Sequence, residues 1–410
     1  MPWLTGQIGN PIDNLSKRII FKLMIKRELE TKLKSLFKKL PLVALIGPRQ
    51  SGKTFLLKNT FPKIKYVSLE DLDQRTFARE DPRRFLSTYQ PPVILDEVQR
   101  VPELFSYLQT QTDNLDKPGQ YFLSGSQNFL LMENISQSLA GRIGLLTLLP
   151  LSLGELGAGK EIKTNLDQIL LKGFYPRPWV KKISPNDWFP GYIQTYLEGD
   201  VRQIKNITDL TLFQRFLKLC AGRTGQVLNL STLAADCGIT HNTVQAWLSV
   251  LEASYIIFKL QPYFKNLNKR LVKSPKLYFY DTGLACSLLG IETAGQLVNY
   301  PLRGALFETM AVSELIKNKF NQGRLPQAFW LSDKSGHEVD YVTEEGGRIT
   351  GIEIKAGETF SQDYFINLKY WQERKIIKPK DSLVIYGGEE DQIRKSGQLK
   401  SWRRLPQIIV

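Results

Sequence analysis

Short apolar runs alternate with stretches of helical periodicity through the first part of the chain, at residues 43–46, 66–69, 93–95 and 121–123. This alternation predicts a parallel sheet with helices on both faces. Parallel neighbours need a crossover, and strands covered on two sides read as continuous apolar runs. Ahead of them, residues 1–14 carry Pro2, Gly6, Gly9, Asn10 and Pro11 in a non-periodic setting. Residues 16–40 are basic and helical in spacing, with Leu29, Leu33, Leu36 and Leu40 on one face and Lys26, Lys32, Lys34, Lys38 and Lys39 around it. The pattern predicts a helix packed beside the first strand with a solvated basic face. Phosphate contact and a membrane surface are the alternative uses of those lysines.

Proline-containing segments near residues 149–151 and 176–190 mark the end of this first α/β domain, and a more helical region follows over 192–221. Near Ser231 the pattern becomes a short helix, a turn at Gly238 and a second helix over 240–254, the proportions of a helix-turn-helix. Strand-like residues 256–260, a basic loop and residues 277–280 then read as a wing. From Gly304 a long helix precedes strand-like runs at 329–331, 339–342 and 352–355, a helix over 364–374 and a strand at 383–386. The expected architecture is α/β in class. It has an extension and basic helix over 1–40, a parallel-sheet domain over 41–190, a helical and winged-helix domain over 191–300, and a second α/β domain over 301–410.

Gly47-Pro48-Arg49-Gln50-Ser51-Gly52-Lys53-Thr54 completes the G-x-x-x-x-G-K-[ST] pattern between a predicted strand and a predicted helix. Its two glycines let the backbone curl so that successive N–H groups and the helix N-terminus face phosphates. Lys53 is placed for the β- and γ-phosphates, and the Thr54 hydroxyl for Mg²⁺. The next apolar run ends in Asp96-Glu97: Asp96 can hold Mg²⁺, and Glu97 can take a proton from an attacking water, which a small-molecule kinase would not need. Ser124, closing the run at 121–123, could sense the γ-phosphate or position water. Arg142 could stabilise transition-state charge in its own subunit or a neighbour's, with Arg49 as a rival. The expected ligands are ATP and Mg²⁺, and the expected reaction is hydrolysis.

The second candidate helix of the helix-turn-helix presents His241, Asn242, Thr243 and Gln245 near its N-terminus, the end that enters a major groove in DNA readers. Lys265, Lys269, Arg270, Lys273 and Lys276 follow in the basic loop. DNA contact and docking of a protein partner both fit this arrangement. Further on, Asp340 and Glu353 each sit on a strand-like run, and the spacing of Glu353 and Lys355 puts both on one face. Asp340 and Glu353, with Glu308 from the preceding helix, could ligate a metal ion, and Lys355 could orient water or help deprotonate it. The arrangement resembles the D…E-x-K signature of the restriction-endonuclease fold; a nuclease, a retained but inactive fold and a surface salt bridge remain open. His337 and Glu338 flank it.

Composition narrows the partners. In a chain of 410 residues, Lys and Arg number 55 against 40 for Asp and Glu, a net charge of +15. Such a balance favours polyanions, nucleic acid first and an anionic membrane surface second. Cys220, Cys237 and Cys286 are an odd set without Cys-x-x-Cys spacing, which argues against a disulfide framework or zinc knuckle and for a reducing, cytoplasmic compartment. Only His241 and His337 are present, which excludes a His-rich metal cage. No apolar run approaches the ~20 residues that cross a bilayer, and no secretory leader is expected.

Several strings together resemble a family of prokaryotic ATPases of the AAA superfamily that carry a C-terminal domain of unknown function. They are the loop at 47–54, Leu95-Asp96-Glu97-Val98-Gln99, Leu123-Ser124-Gly125-Ser126, Leu139-Ala140-Gly141-Arg142-Ile143, Tyr196-Leu197-Glu198-Gly199-Asp200-Val201 and Phe279-Tyr280-Asp281-Thr282-Gly283-Leu284. The resemblance runs from about Met24 onward, which makes residues 1–23 an extension without an assigned role. It implies an AAA-type core, a winged helix and a C-terminal fold related to restriction endonucleases. From the basic charge and the wing, DNA is the expected partner, with a protein partner or further copies of the chain as alternatives.

Overall fold

A computed structural model describes residues 25–115, 117–125, 138–157, 164–197, 209–263 and 274–408. The first sheet contains β1 (Leu42–Ile46), β2 (Lys65–Ser68), β3 (Val93–Asp96), β4 (Tyr121–Gly125) and β5 (Ile143–Thr147). All are parallel, in the order β2-β3-β4-β1-β5. Alternate residues of β1 feed two cores, as the two-residue period of a strand requires. Val43 and Leu45 pack with Leu29 and Leu33 of the N-terminal helical segment, while Leu42, Ala44 and Ile46 pack with Leu104, Phe105 and Leu108 from the opposite face. The expected packing of the basic helix beside β1 is what forms, although the described helix is short, Glu30–Phe37.

The sequence pattern did not reveal β5. It lies at the sheet edge, Leu145 is exposed, and Gly144 interrupts the apolar run. A Cβ there would lie 2.8 Å from Leu40 Cδ1, so a larger residue would have to displace that side chain.

The second sheet has nine strands in the order β13-β14-β12-β11-β10-β9-β7-β8-β6. Its strands are β6 (Gln226–Val227), β7 (Ile257–Pro262), β8 (Lys276–Phe279), β9 (Ala328–Ser332), β10 (Glu338–Glu345), β11 (Arg348–Lys355), β12 (Ser382–Tyr386), β13 (Gln392–Arg394) and β14 (Gly397–Ser401). β7 and β8 form the antiparallel pair that follows the two helices Leu230–Cys237 and His241–Ala253. The first helix ends on Gly238 in the left-handed conformation, and the second is capped by the Thr240 hydroxyl, which accepts from the Thr243 N–H at 3.1 Å. β7 also pairs in parallel with β9, through Gln261 opposite Phe329 and Pro262 opposite Trp330. The hairpin and the C-terminal strands therefore share one sheet.

One hydrophobic core extends from Leu149 to Leu405. Within it Asp281 accepts from the Leu284 N–H at 2.7 Å, capping its own helix, and from the Phe174 N–H at 2.5 Å. A Cβ on Gly173 would strike that carboxylate at 2.6 Å.

Lys276, expected on an exposed basic loop, opens β8 and is only 2% exposed. Lys265, Lys269, Arg270 and Lys273 of the same loop lie outside the described residues, as do residues 1–23, Ser126 and residues 198–201. No helix among the described residues is long and apolar enough to cross a membrane.

Candidate functional site

The loop at 47–54 joins the C-terminal end of β1 to the helix Lys53–Thr60. Gly47 has φ +142°, and a Cβ there would sit 2.2 Å from the Leu148 carbonyl oxygen, so the turn accepts no side chain. Gly52 caps the helix in the left-handed conformation without a side chain of its own, leaving the first N–H groups facing the cleft. Lys53 is buried and donates to the carbonyls of Gly47 at 2.9 Å and Pro48 at 2.8 Å. Pro48, Arg49, Gln50 and Ser51 form the arch between the glycines, and Arg49, Gln50 and Ser51 line the cleft.

Sheet order brings the acidic strand to the loop. β4 lies between β1 and β3, with Ser124 in register with Asp96. The Asp96 carboxylate accepts from Thr54 Oγ1 at 2.8 Å, from the Tyr66 hydroxyl at 2.6 Å and from the Ser124 hydroxyl. Burial, and next the Asp96 carboxylate, push the Tyr66 phenol well up. Three hydroxyl donors thus fix a carboxylate that is 5% exposed. Glu97 follows in the left-handed region, φ 55°, where Gln99 Nε2 donates to it at 2.5 Å. This turn aims Glu97 into a cleft of about 640 Å³ that also contains Lys53 and Thr54.

A second cluster forms in the C-terminal half. Glu308, Glu338 and Asp340 each offer an oxygen within 4.8 Å of the others. Glu308, on the helix Arg303–Asn321, accepts from the Tyr278 hydroxyl at 2.5 Å and from Lys276 at 2.9 Å. Asp340 accepts from the Ile354 N–H at 2.8 Å, and Glu353 accepts from Lys355 at 2.7 Å. Burial, reinforced by Asp340, pushes Glu308 up to about 7 and Glu353 up to about 8. Burial alone would lower the Lys355 ammonium, but Asp340 and Glu353 outweigh it and raise it. Of the expected metal ligands, the structure gathers Glu308 and Asp340 with Glu338, while Glu353 turns to Lys355.

The AAA domain family matches residues 39–157, and two domains of unknown function match further along, DUF8612 over 163–295 and DUF4143 over 303–405. The uncharacterized protein Rv2008c of Mycobacterium tuberculosis is 30% identical over 363 residues, covering 87% of this chain and 80% of its own length. The chain belongs to this AAA ATPase family with a C-terminal domain of unknown function. The Mycobacterium bovis protein Mb2031c, also uncharacterized, matches to the same extent. Among solved structures, a Walker-type ATPase of Pyrococcus abyssi aligns at TM-score 0.45 and 16% identity, over 65% of this chain and 96% of its own. The RuvB Holliday junction branch migration motor of Thermotoga maritima aligns at TM-score 0.30 and 20% identity, over 57% and 90%.

In this AAA ATPase Arg142 sits far from the cleft. It precedes β5, and its carbonyl accepts from Leu42 at the start of β1, whereas the loop leaves the other end of that strand. Its guanidinium pairs with Asp113. An own-subunit role at the phosphates does not fit this position.

Arg27 is the residue that motif reading missed. Nη1 donates to the Ser51 carbonyl at 2.7 Å, Nη2 to the Leu149 carbonyl at 2.7 Å, and Nε to Glu155 at 2.9 Å. It ties the phosphate loop to the segment after β5, and its only trace in the sequence is one arginine among many cations ahead of a leucine-spaced helix.

Proposed function

We propose that this ATPase domain binds MgATP in the cleft at Lys53 and hydrolyses it, with Glu97 as the proton acceptor. The observation that carries the reading is that Lys53, Thr54 and Glu97 line one cleft while the Thr54 hydroxyl donates to Asp96. Thr54 Oγ1 and Asp96 are adjacent hard-oxygen donors and fit a Mg²⁺ ion. Such an ion, when bound, neutralises charge on the phosphate oxygens. Lys53 exchanges the carbonyls of Gly47 and Pro48 for phosphate oxygens, and the backbone N–H groups of the loop and of the helix start hold the remainder. Ser124 keeps Asp96 oriented. Glu97 takes the proton of the attacking water. Arg177 and Lys181 line the cleft from a later segment and add positive charge opposite the loop.

The reading extends to a DNA partner. The helix His241–Ala253 leaves His241, Asn242 and Gln245 exposed near its N-terminus, on a chain of net charge +15. The same surface suits a protein partner, and the salt dependence of DNA binding separates the two. The buried, unpaired cysteines suit a reducing, cytoplasmic setting. Cleavage of DNA by the Asp340, Glu353, Lys355 set is disfavoured by the ion pairs inside that cluster.

The test is MgATP turnover and nucleotide-dependent DNA binding by the full chain. Lys53→Ala is expected to abolish both nucleotide binding and turnover, and unchanged turnover would place the active site elsewhere. Replacing His241, Asn242 and Gln245 together by alanine is expected to weaken DNA binding while sparing turnover. DNA binding that survives would remove this helix from the contact surface.

A further inference from the structure

Glu308, Glu338 and Asp340 present the oxygen set that a Mg²⁺ or Mn²⁺ ion would take, in the place where the D…E-x-K signature implies a metal. The ammonium of Lys276 reaches all three. Nζ lies 2.9 Å from Glu308 Oε1 and 3.6 Å from Asp340 Oδ1, and it pairs directly with Glu338. An ammonium has three N–H donors and no acceptor; here it pairs closely with Glu308 and Glu338, and Asp340 adds its charge from ion-pair distance. Lys276 is 2% exposed, and its Nζ lies 5.4 Å from the centroid of the Trp330 ring. Removing this ammonium would leave the carboxylates around it without their counter-charge.

Other donors hold the acids of the cluster as well, although Glu353 Oε1 is buried without a hydrogen-bond partner among the described residues. Tyr278 donates to Glu308 Oε1, the Ile354 N–H donates to Asp340 Oδ2, and Lys355 Nζ holds Glu353 Oε2. Lys276 can occupy this position because β8 belongs to the same sheet as β10, so the residue after the basic loop is carried into the acidic cluster.

We propose that Lys276 is the resident cation of this cluster and that the chain holds no divalent metal there. The cluster then acts as an internal ion network joining β8 to β10 and to the helix Arg303–Asn321. This conclusion is independent of the reading of the nucleotide site.

The experiment is a Mn²⁺ titration of the full chain without nucleotide, read by electron paramagnetic resonance, in an Asp96→Asn background that removes the carboxylate placed to hold the nucleotide-site metal. Asp96→Asn is expected to bind no Mn²⁺ at millimolar concentration. Adding Lys276→Met is expected to create one Mn²⁺ site and a melting temperature that rises by several degrees with the metal, both lost on further change of Asp340→Asn. A Mn²⁺ ion bound by Asp96→Asn and lost in Asp96→Asn/Asp340→Asn would overturn the proposal. A folded Lys276→Met variant without metal binding would overturn it too, since the acids would then form no cation site. If Lys276→Met folds only with Mn²⁺ present, the proposal stands; if it folds in neither condition, the Asp96→Asn comparison decides alone.

Discussion

Replacing Arg27 by methionine tests how the phosphate loop is held. The guanidinium makes three hydrogen bonds inside the protein, and its partner Glu155 has a side chain with no solvent exposure. Removing one member of a buried pair costs about 3–5 kcal/mol, because the other charge is left uncompensated. Glu155 keeps the Ser152 N–H at 3.0 Å and the Glu28 N–H at 2.8 Å, which places Arg27→Met at the lower end of that range. The freed Ser51 carbonyl belongs to a residue that lines the cleft.

Urea denaturation of the full chain should therefore show a loss of about 3 kcal/mol. Nucleotide affinity should weaken as well, about tenfold for each 1.4 kcal/mol spent on reordering the loop. The double variant Arg27→Met/Glu155→Gln should recover much of the stability, since it removes the stranded charge and keeps an acceptor at Glu155. A loss below about 1 kcal/mol for Arg27→Met, or a double variant no better than the single, would show that the loop is not anchored in this way.

Three other outcomes follow from the same geometry. Glu97→Gln should lower kcat by about 10²–10⁴-fold while leaving ATP affinity within a few-fold, by steady-state kinetics and equilibrium binding; loss of binding would make Glu97 a ligand rather than a base. Gly47→Ala should abolish nucleotide binding, because its Cβ meets the Leu148 carbonyl at 2.2 Å; retained affinity would mean that the loop turns differently. Burial raises the Glu314 carboxyl, despite Lys317 beside it and the Leu153 N–H bonded to it at 2.6 Å. The folded state then retains a proton on Glu314 that the unfolded chain releases near its usual 4.5. Its contribution is present in full below that pH and is lost as pH rises through the higher folded value. Relative to Glu314→Gln, the natural chain should lose stability with rising pH, and the opposite slope in parallel melts would contradict the assignment.

The parts legible in the sequence were those fixed by local rules. The loop glycines, the continuous apolar runs of β1 and β3, and the acids closing β3 announce themselves because each is dictated by backbone geometry or two-sided burial. Edge strand β5, half exposed and broken by Gly144, carries too weak a pattern. Arg27 and Lys276 were not legible for a different reason. A charged residue near a basic helix or loop reads as solvated, and only the tertiary path shows that one is buried against Ser51 and Glu155 and the other against Glu308, Glu338 and Asp340. Arg142 went the other way for its own subunit: its motif suggested a phosphate contact, but it lies at the opposite end of the strands from the loop, which leaves only the neighbour's site for that role.

The pairing of β7 with β9 has an engineering consequence. Severing the chain near residue 300 would leave β7 with a bare edge at Gln261 and Pro262, and would uncover apolar surface now closed by Trp330. Edges of that kind recruit strands from other molecules. Fragments ending there should be sticky and prone to aggregate, so grafting either half onto another protein requires carrying the shared sheet whole.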